Sequence, residues 1–211
     1  MDIEKIIKNL EKNNMKGYFV KSSDEARELV AELLKKGDTI SCGGSVTLAD
    51  TGIDKLMRSG DYNFLDRSVA GLTTEQIDEI YAKTFMADAY LCSANAVTEN
   101  GELVNVDGRS NRVAAIVYGP KSVICVVGIN KIVPDVKAGF KRVKEVAAPL
   151  NAKRLGCNTP CAKTGKCIAL DGDIADGCQS DARICASYVV SGRQRVKDRI
   201  KVIIVDEKLG Y

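Results

Sequence analysis

Five of the eight cysteines in this 211-residue chain, Cys157, Cys161, Cys167, Cys178 and Cys185, fall in one stretch near the C-terminus. Thiolates favour zinc, copper(I) and iron–sulfur centres, and four of them complete the shell of either a zinc site or a cubane cluster. Their spacing separates the metals less well than their number. Cys161-x5-Cys167, followed by single Cys178 and Cys185, lacks the paired C-x2-C of a zinc ribbon and the tight runs of ferredoxins. An iron–sulfur cluster is the first expectation and zinc the alternative. From Gly156 to Ala186 the chain has little apolar periodicity and many Gly and Asp residues. Burial alone cannot offset the entropy of ordering such a stretch, and a metal would supply the cross-link. Lys163, Lys166 and Arg183 interleave with the thiols and could offset the charge of a four-thiolate centre, although charges in a loop are commonly just solvated. Cys42, Cys92 and Cys125 fall in strand-like runs and read as core thiols.

The chain contains no histidine. The commonest general base is therefore missing, and proton transfer falls to Asp, Glu, Lys, Cys and Tyr. Three polar loops carry the candidates. In Gly43-Gly44-Ser45-Val46-Thr47, the glycines Gly43 and Gly44 let backbone N–H groups approach an anion while Ser45 and Thr47 add hydroxyls. A tight structural turn accounts for the two glycines equally well, and no Walker A or G-x-G-x-x-G pattern is present. The second loop brings Asn95, Thr98, Glu99, Asn105, Asp107, Asn111 and Arg112 into a short span. A carboxylate there could serve as nucleophile or general base, and Arg112 could grip an anionic substrate. Asn-Gly and Asp-Gly are also ordinary turn chemistry. The third loop holds Asn130 and Lys131, the latter a candidate anion ligand.

Alternating strands and helices must position these loops. Ile3, Ile6, Ile7 and Leu10 share one helical face, and Gly17–Val20 reads as a strand. Ser22 with Glu25 signals a capping box before a helix buried on Ala26, Leu29, Val30 and Leu33. A strand over Thr39–Cys42 precedes a helix capped by Ser45 and buried on Ala49, Ile53, Leu56 and Met57. After a short strand at Asn63–Leu65, Thr73 and Gln76 open a helix with Ile77, Ile80, Tyr81 and Phe85 inward. Ala89–Cys92 and Ser122–Val127 are buried strands, with a hairpin or strand at Glu102–Val106 and a Ser110-capped helix reaching Tyr118 between them. Pro134 suits the first turn of a helix carrying Val136, Phe140 and Val143. Ser187–Val190 and Ile200–Val205 return the chain to the core. This pattern predicts an α/β fold with a mostly parallel open sheet covered by helices on both faces. Residues 1–155 and 187–211 form its body, and residues 156–186 form an irregular cysteine-rich insertion. In such sheets ligands bind outside the carboxyl ends of the strands.

Lys and Arg total 31 against 28 Asp and Glu, a net charge of +3 without a basic block, which argues against nucleic acid as a partner. The N-terminal stretch lacks the apolar core of a signal peptide, and no run reaches membrane-spanning length. A cytoplasmic location follows, where cysteines stay reduced.

The strings GGSVT, SANAVTENGELVNVDGRSNRVAA, GPKSVICVVGINKIV and NTPCAKTGKC closely resemble the lactate-utilization (LUD) domain family, over nearly the whole chain. The resemblance implies a fold like that of glucosamine-6-phosphate deaminase, ribose-5-phosphate isomerase and CoA transferases, with a small phosphorylated or acyl ligand at the three loops. It also implies a place in lactate or organic-acid metabolism, in which some members work with iron–sulfur proteins. The likeness at NTPCAKTGKC favours Cys161, Cys167, Cys178 and Cys185 as metal ligands, with Cys157 as a spare or alternative. A loop glutamate serves CoA transferases of similar fold, which makes Glu99 the first catalytic candidate, beside Asp107. The expected function is therefore binding of a small anionic metabolite together with a cysteine-ligated centre for electron transfer or structure. Two other readings stand beside it: a nonredox CoA-transferase or sugar-phosphate-type enzyme with structural zinc, and a noncatalytic accessory subunit of a lactate-oxidising complex. Homodimerisation is the base-rate expectation.

Overall fold

Six strands, β1 (Lys16–Val20), β2 (Thr39–Cys42), β3 (Asn63–Phe64), β4 (Ala89–Cys92), β7 (Ser122–Gly128) and β10 (Ile200–Val205), pair entirely in parallel in the computed structural model of residues 1–211. Their order is β1-β10-β7-β4-β2-β3. Alternate side chains along β4, β7 and β10 enter two separate cores. Tyr90, Cys92, Val123, Cys125, Val127, Val202 and Ile204 face one side, and Leu91, Ile124, Val126, Ile203 and Val205 the other. Burial on both faces is why these strands read as unbroken apolar runs.

The first face is covered by α1 (Ile3–Lys12) through Ile6 and Leu10, and by α6 (Asn111–Tyr118) through Ala115 and Ile116. The second is covered by α2 (Ser23–Leu33), α3 (Val46–Asp50) and α4 (Ile53–Met57) through Ala26, Val30, Leu48, Ile53 and Met57. A smaller sheet in the order β8-β5-β6-β9 joins β5 (Ala96–Thr98), β6 (Leu103–Asp107), β8 (Ile132–Val133) and β9 (Ser187–Ser191). Ala96, Val104, Val106 and Val133 of this sheet pack on Phe140 of α7 (Val136–Arg142) and Ala148 of α8 (Ala148–Arg154). A π-helical turn, Val143–Ala147, joins those two helices.

Several details depart from the local signals. The helix expected over residues 45–57 is broken at Gly52, whose φ of +67° ends α3 and starts α4, although Ser45 caps it as predicted, accepting from Leu48 N. Glu25 closes back onto the Lys21 N–H instead of the N-cap residue. The box at Thr73 and Gln76 is complete and opens α5 (Thr74–Thr84). Phe85, however, is 40% exposed, because Thr84 at the end of α5 docks on Ser41 of β2 through its hydroxyl, at 2.7 Å. Pro134 lies outside α7 and not in its first turn, because Asp135 is the N-cap, accepting from Ala138 N. Ser110 adopts φ +65° and makes no cap bond; Asp107 Oδ2 takes over by accepting from Val113 N at 2.9 Å. Strand β9 joins the smaller sheet, antiparallel to β6, and not the main core. No helix is long and apolar enough to cross a membrane.

Candidate functional site

The loops leaving β2, β4 and β7 meet the C-terminal tail around a cleft of about 440 Å³. Eight of the residues singled out by sequence line it: Gly44, Ser45, Thr47, Asn95, Asp107, Asn111, Arg112 and Lys131. Gly43 lies just behind, where a Cβ would stand 3.0 Å from Tyr90 OH and 3.1 Å from Arg112 Cδ. Asn105 is fully buried beneath the floor, its Oδ1 accepting from Arg112 at 2.5 Å. Asn130 turns to the tail, accepting from Leu209 N at 3.0 Å.

Thr98 and Glu99 are not brought to this place. Strand β5 runs away from Asn95, so Glu99 sits four residues and about 13 Å of extended chain further on. Thr98 Oγ1 is bound to the Glu102 carboxylate. The Glu99 carboxylate is half-exposed, 3.9 Å from Lys5, and its carbonyl accepts from Asn9 of α1.

Arg112 is the knot of the cleft floor. Its Nε donates to Asp107 Oδ1 at 2.9 Å, NH1 to Ser93 O and Asn105 Oδ1, and NH2 to Asn95 Oδ1 and Val106 O. A guanidinium has five N–H donors, and all five are engaged. Asp107 is likewise committed, one oxygen to Arg112 and the other to the α6 cap. The pair therefore holds the β4, β6 and α6 ends together and has no donor left for a ligand.

The free positive charge lies elsewhere, on residues the sequence did not single out. The guanidinium NH2 atoms of Arg67 and Arg154 lie 3.1 and 3.9 Å from the point where a Gly44 Cβ would stand. Neither arginine forms a salt bridge in the structure. Arg67 leans on Tyr81, donating to its hydroxyl at 3.2 Å, and its buried Nε has no partner. Arg154 is aligned by Asn151 Oδ1 and by Tyr211 OH at 2.7 Å. Arg109 also lines the cleft but is paired with Asp78 at 2.7 Å. Nothing local marks Arg67, Arg154 or Tyr211, since each is an ordinary loop, helix-end or terminal residue until the chain folds.

Lys131 closes the floor at 3% exposure, donating to Thr47 Oγ1 at 2.8 Å and Ser93 Oγ at 3.0 Å. Burial pushes its pKa down to about 8, helped by the charges of Arg142 and Arg112 and opposed by Cys125 and Asp50.

The cysteine-rich segment forms a second, smaller cavity of about 30 Å³ beside the cleft. All eight cysteines are free thiols, and Cys161, Cys167, Cys178 and Cys185 line this cavity while Cys157 does not. Burial raises the Cys185 thiol to about 11, with the Cys161 and Cys167 thiols adding to the shift and Arg183 opposing it. No set of three or more Cys, Asp or Glu side chains is arranged around a single ion. Arg183 and Ile184 line both cavities, so one layer of residues separates them. Arg183 stiffens that wall by donating to the carbonyls of Cys185, Cys178 and Ala175 and to Tyr188 OH. Beneath the segment, the π-helical turn presents buried Lys144 to the carbonyls of Ala169, Gly172 and Asp173. Such turns recur at functional sites.

A parallel α/β sheet with a cationic cleft at its strand ends, walled from a four-thiol cavity, defines the class of protein. The chain belongs to the LUD domain family, whose sequence profile matches residues 3–205. It is similar to a solved structure of a DUF162 family protein from Deinococcus radiodurans, at 17% identity over 97% of this chain and 99% of that one, with a TM-score of 0.46. It is also similar to ribose 5-phosphate isomerase A from Methanocaldococcus jannaschii, at 15% identity over 82% and 80% of the two chains, with a TM-score of 0.38. Comparison with curated proteins returned no match.

Proposed function

We propose that this chain is a LUD-type protein of lactate or organic-acid metabolism that binds a small anionic metabolite in the cleft. The observation that carries the reading is the pair Arg67 and Arg154, two guanidiniums without carboxylate partners aimed at the backbone of Gly44. Like charges brought together repel unless an anion lies between them, and guanidinium matches carboxylate and phosphate in a bidentate manner. Gly44 admits the anion because it has no Cβ to occupy that space. Titration calorimetry with lactate, pyruvate and ribose 5-phosphate is the test. We expect one of these to bind and Arg67→Met and Arg154→Met each to weaken it by about 1.5–3 kcal/mol, roughly ten- to 150-fold. Unchanged affinity in both variants would remove the clamp from consideration.

Within the same reading, Cys161, Cys167, Cys178 and Cys185 hold an iron–sulfur cluster, with residues 156–186 as the insertion that carries it and the rest of the chain as the α/β body. Support comes from the four thiols lining one cavity, the number that completes the shell of a cubane cluster. Bound, such a cluster would supply one-electron transfer one residue layer from the cleft. Arg183 would then offset thiolate charge and hold the wall. The same proposal has the protein work in the reducing cytoplasm with iron–sulfur proteins as redox partners, and the base rate for soluble enzymes favours a homodimer. Protein purified without oxygen should contain about four iron atoms per chain and a visible absorption that bleaches with dithionite. Colourless protein with one zinc would replace the cluster by the structural alternative, and protein with neither metal would end both.

A further inference from the structure

Two lysines of this chain are buried, and their surroundings differ in kind. Lys144 Nζ is met by three backbone carbonyls, pure acceptors that suit an ammonium ion. Lys131 Nζ has only the hydroxyls of Thr47 and Ser93, groups that donate as readily as they accept. It forms no salt bridge, and two of the charges that act on it, Arg142 and Arg112, are of its own sign. A lone ammonium buried in this way is expensive, and a neutral amine is not. The hydroxyls can then donate to the amine lone pair or receive its proton. The tail covers the spot, since a Cβ at Gly210 would stand 3.4 Å from Nζ, and Tyr211 lines the same cleft.

We propose that Lys131 is a nucleophilic amine that forms an imine with an aldehyde or ketone whose carboxylate or phosphate is held by Arg67 and Arg154. This deepens the reading of the cleft as an anion site and rests on it. In the step, the Nζ lone pair attacks the carbonyl carbon, an N–C bond forms, and the carbonyl π electrons move to oxygen. One amine proton passes to that oxygen, with the Ser93 hydroxyl placed to relay it. The second leaves with it as the C–O bond breaks, so water departs and C=N replaces C=O. Nothing is oxidised or reduced, and hydrolysis reverses the step. The substrate class is therefore a 2-oxo acid or an open-chain sugar phosphate.

The test incubates the full-length protein separately with pyruvate and with ribose 5-phosphate, adds borohydride to reduce any imine, and maps the modified peptide by mass spectrometry. We expect Lys131 to carry most of the adduct below pH 8, with one of the two carbonyl compounds preferred, which decides between 2-oxo acid and sugar phosphate. At pH 7.5 a lysine of pKa about 8 is neutral on the order of 200 times more often than an exposed one. Trapping at Lys131 should therefore level off above pH 8 while any background at surface lysines keeps rising. Lys131→Arg should lose the adduct, and Arg67→Met should lower its yield about tenfold at limiting ligand. Because the wild-type peptide map needs no variant, poor folding of Lys131→Arg does not blunt the test. Binding by calorimetry with no adduct, or adducts spread over surface lysines, overturns the imine and leaves the anion site standing. No adduct, together with no binding of pyruvate, ribose 5-phosphate or lactate, overturns both.

Discussion

Replacing Arg112 with Met is expected to cost about 3–5 kcal/mol of stability, the loss typical of removing one member of a buried ion pair. The side chains of Arg112 and Asp107 are only 13% and 10% exposed and lie 2.8 Å apart. Methionine would take the Arg112 donor from Asp107 Oδ1, Asn105 Oδ1 and the carbonyls of Ser93 and Val106, each unmet group adding to the loss, while Asn95 Oδ1 keeps its bond from Val106 N. Asn105 Nδ2 is already without a partner, so the site has little slack. Arg112→Lys should recover only a small part, because an ammonium cannot reach five acceptors spread around a planar fork. Urea unfolding of the two variants beside wild type measures this directly. If both variants lose less than about 1 kcal/mol, Arg112 does not hold the cleft floor together. The same result would return Arg112 to the role its position suggests, a grip on the ligand.

Lys131→Met should move stability in the opposite direction. The unfolded chain keeps this lysine protonated up to about pH 10.5, whereas the folded chain holds the proton only up to about pH 8. Burial thus costs stability in full below pH 8, and that cost fades as pH rises towards 10.5, where the unfolded state also loses the proton. The shift corresponds to about 3 kcal/mol. Methionine removes the cost but also the bonds to Thr47 and Ser93, so a net gain of about 1–2 kcal/mol at pH 7 is expected. Two thiols, Cys42 and Cys185, are held up to about 11 by burial and lose stability as pH rises above 9. The readout is therefore the difference between variant and wild type, measured by urea unfolding from pH 7 to 10. That difference should shrink as pH rises. A variant less stable than wild type at pH 7, with a difference independent of pH, would show that Lys131 is held as a favourable cation. A gain in stability at the expense of the cleft is what a functional residue under strain predicts.

Local pattern was enough for the frame. Strands β4, β7 and β10 were readable to within a residue because both of their faces are buried, which leaves an apolar run that no surface segment shares. The caps at Ser22, Ser45 and Thr73 were readable because a cap is satisfied three residues away. The smaller sheet was readable only in part, β6 and β9 to within a residue but β5 and β8 not at all, and its pairing left no signal. Its strands are two to five residues long, and β6 pairs with β9 at Leu103 and Ser191, a partnership that leaves no local trace. Glu99 shows the reverse error of reach. A loop rich in polar residues marks a site in general, but which residues of a hairpin face the cleft depends on the direction of a three-residue strand.

The same division holds for the chemistry. The sequence by itself determined the reagents: thiols in number, no imidazole, and amines and carboxylates in loops at strand ends. It also gathered five cysteines in one segment, of which the family resemblance favoured the four that share one cavity. Only the tertiary structure decided how those groups are used. Whether a cation stays without a carboxylate partner, as Arg67 and Arg154 do, or is consumed by the protein, as Arg112 is, depends on which acceptors the folded chain brings to it. Whether Lys131 is an ordinary ammonium or a reactive amine depends on how much water and counter-charge folding takes away. Residue type sets what a group can do, whereas its partners, burial and charge balance come from segments far apart in sequence and exist only once the strands have packed.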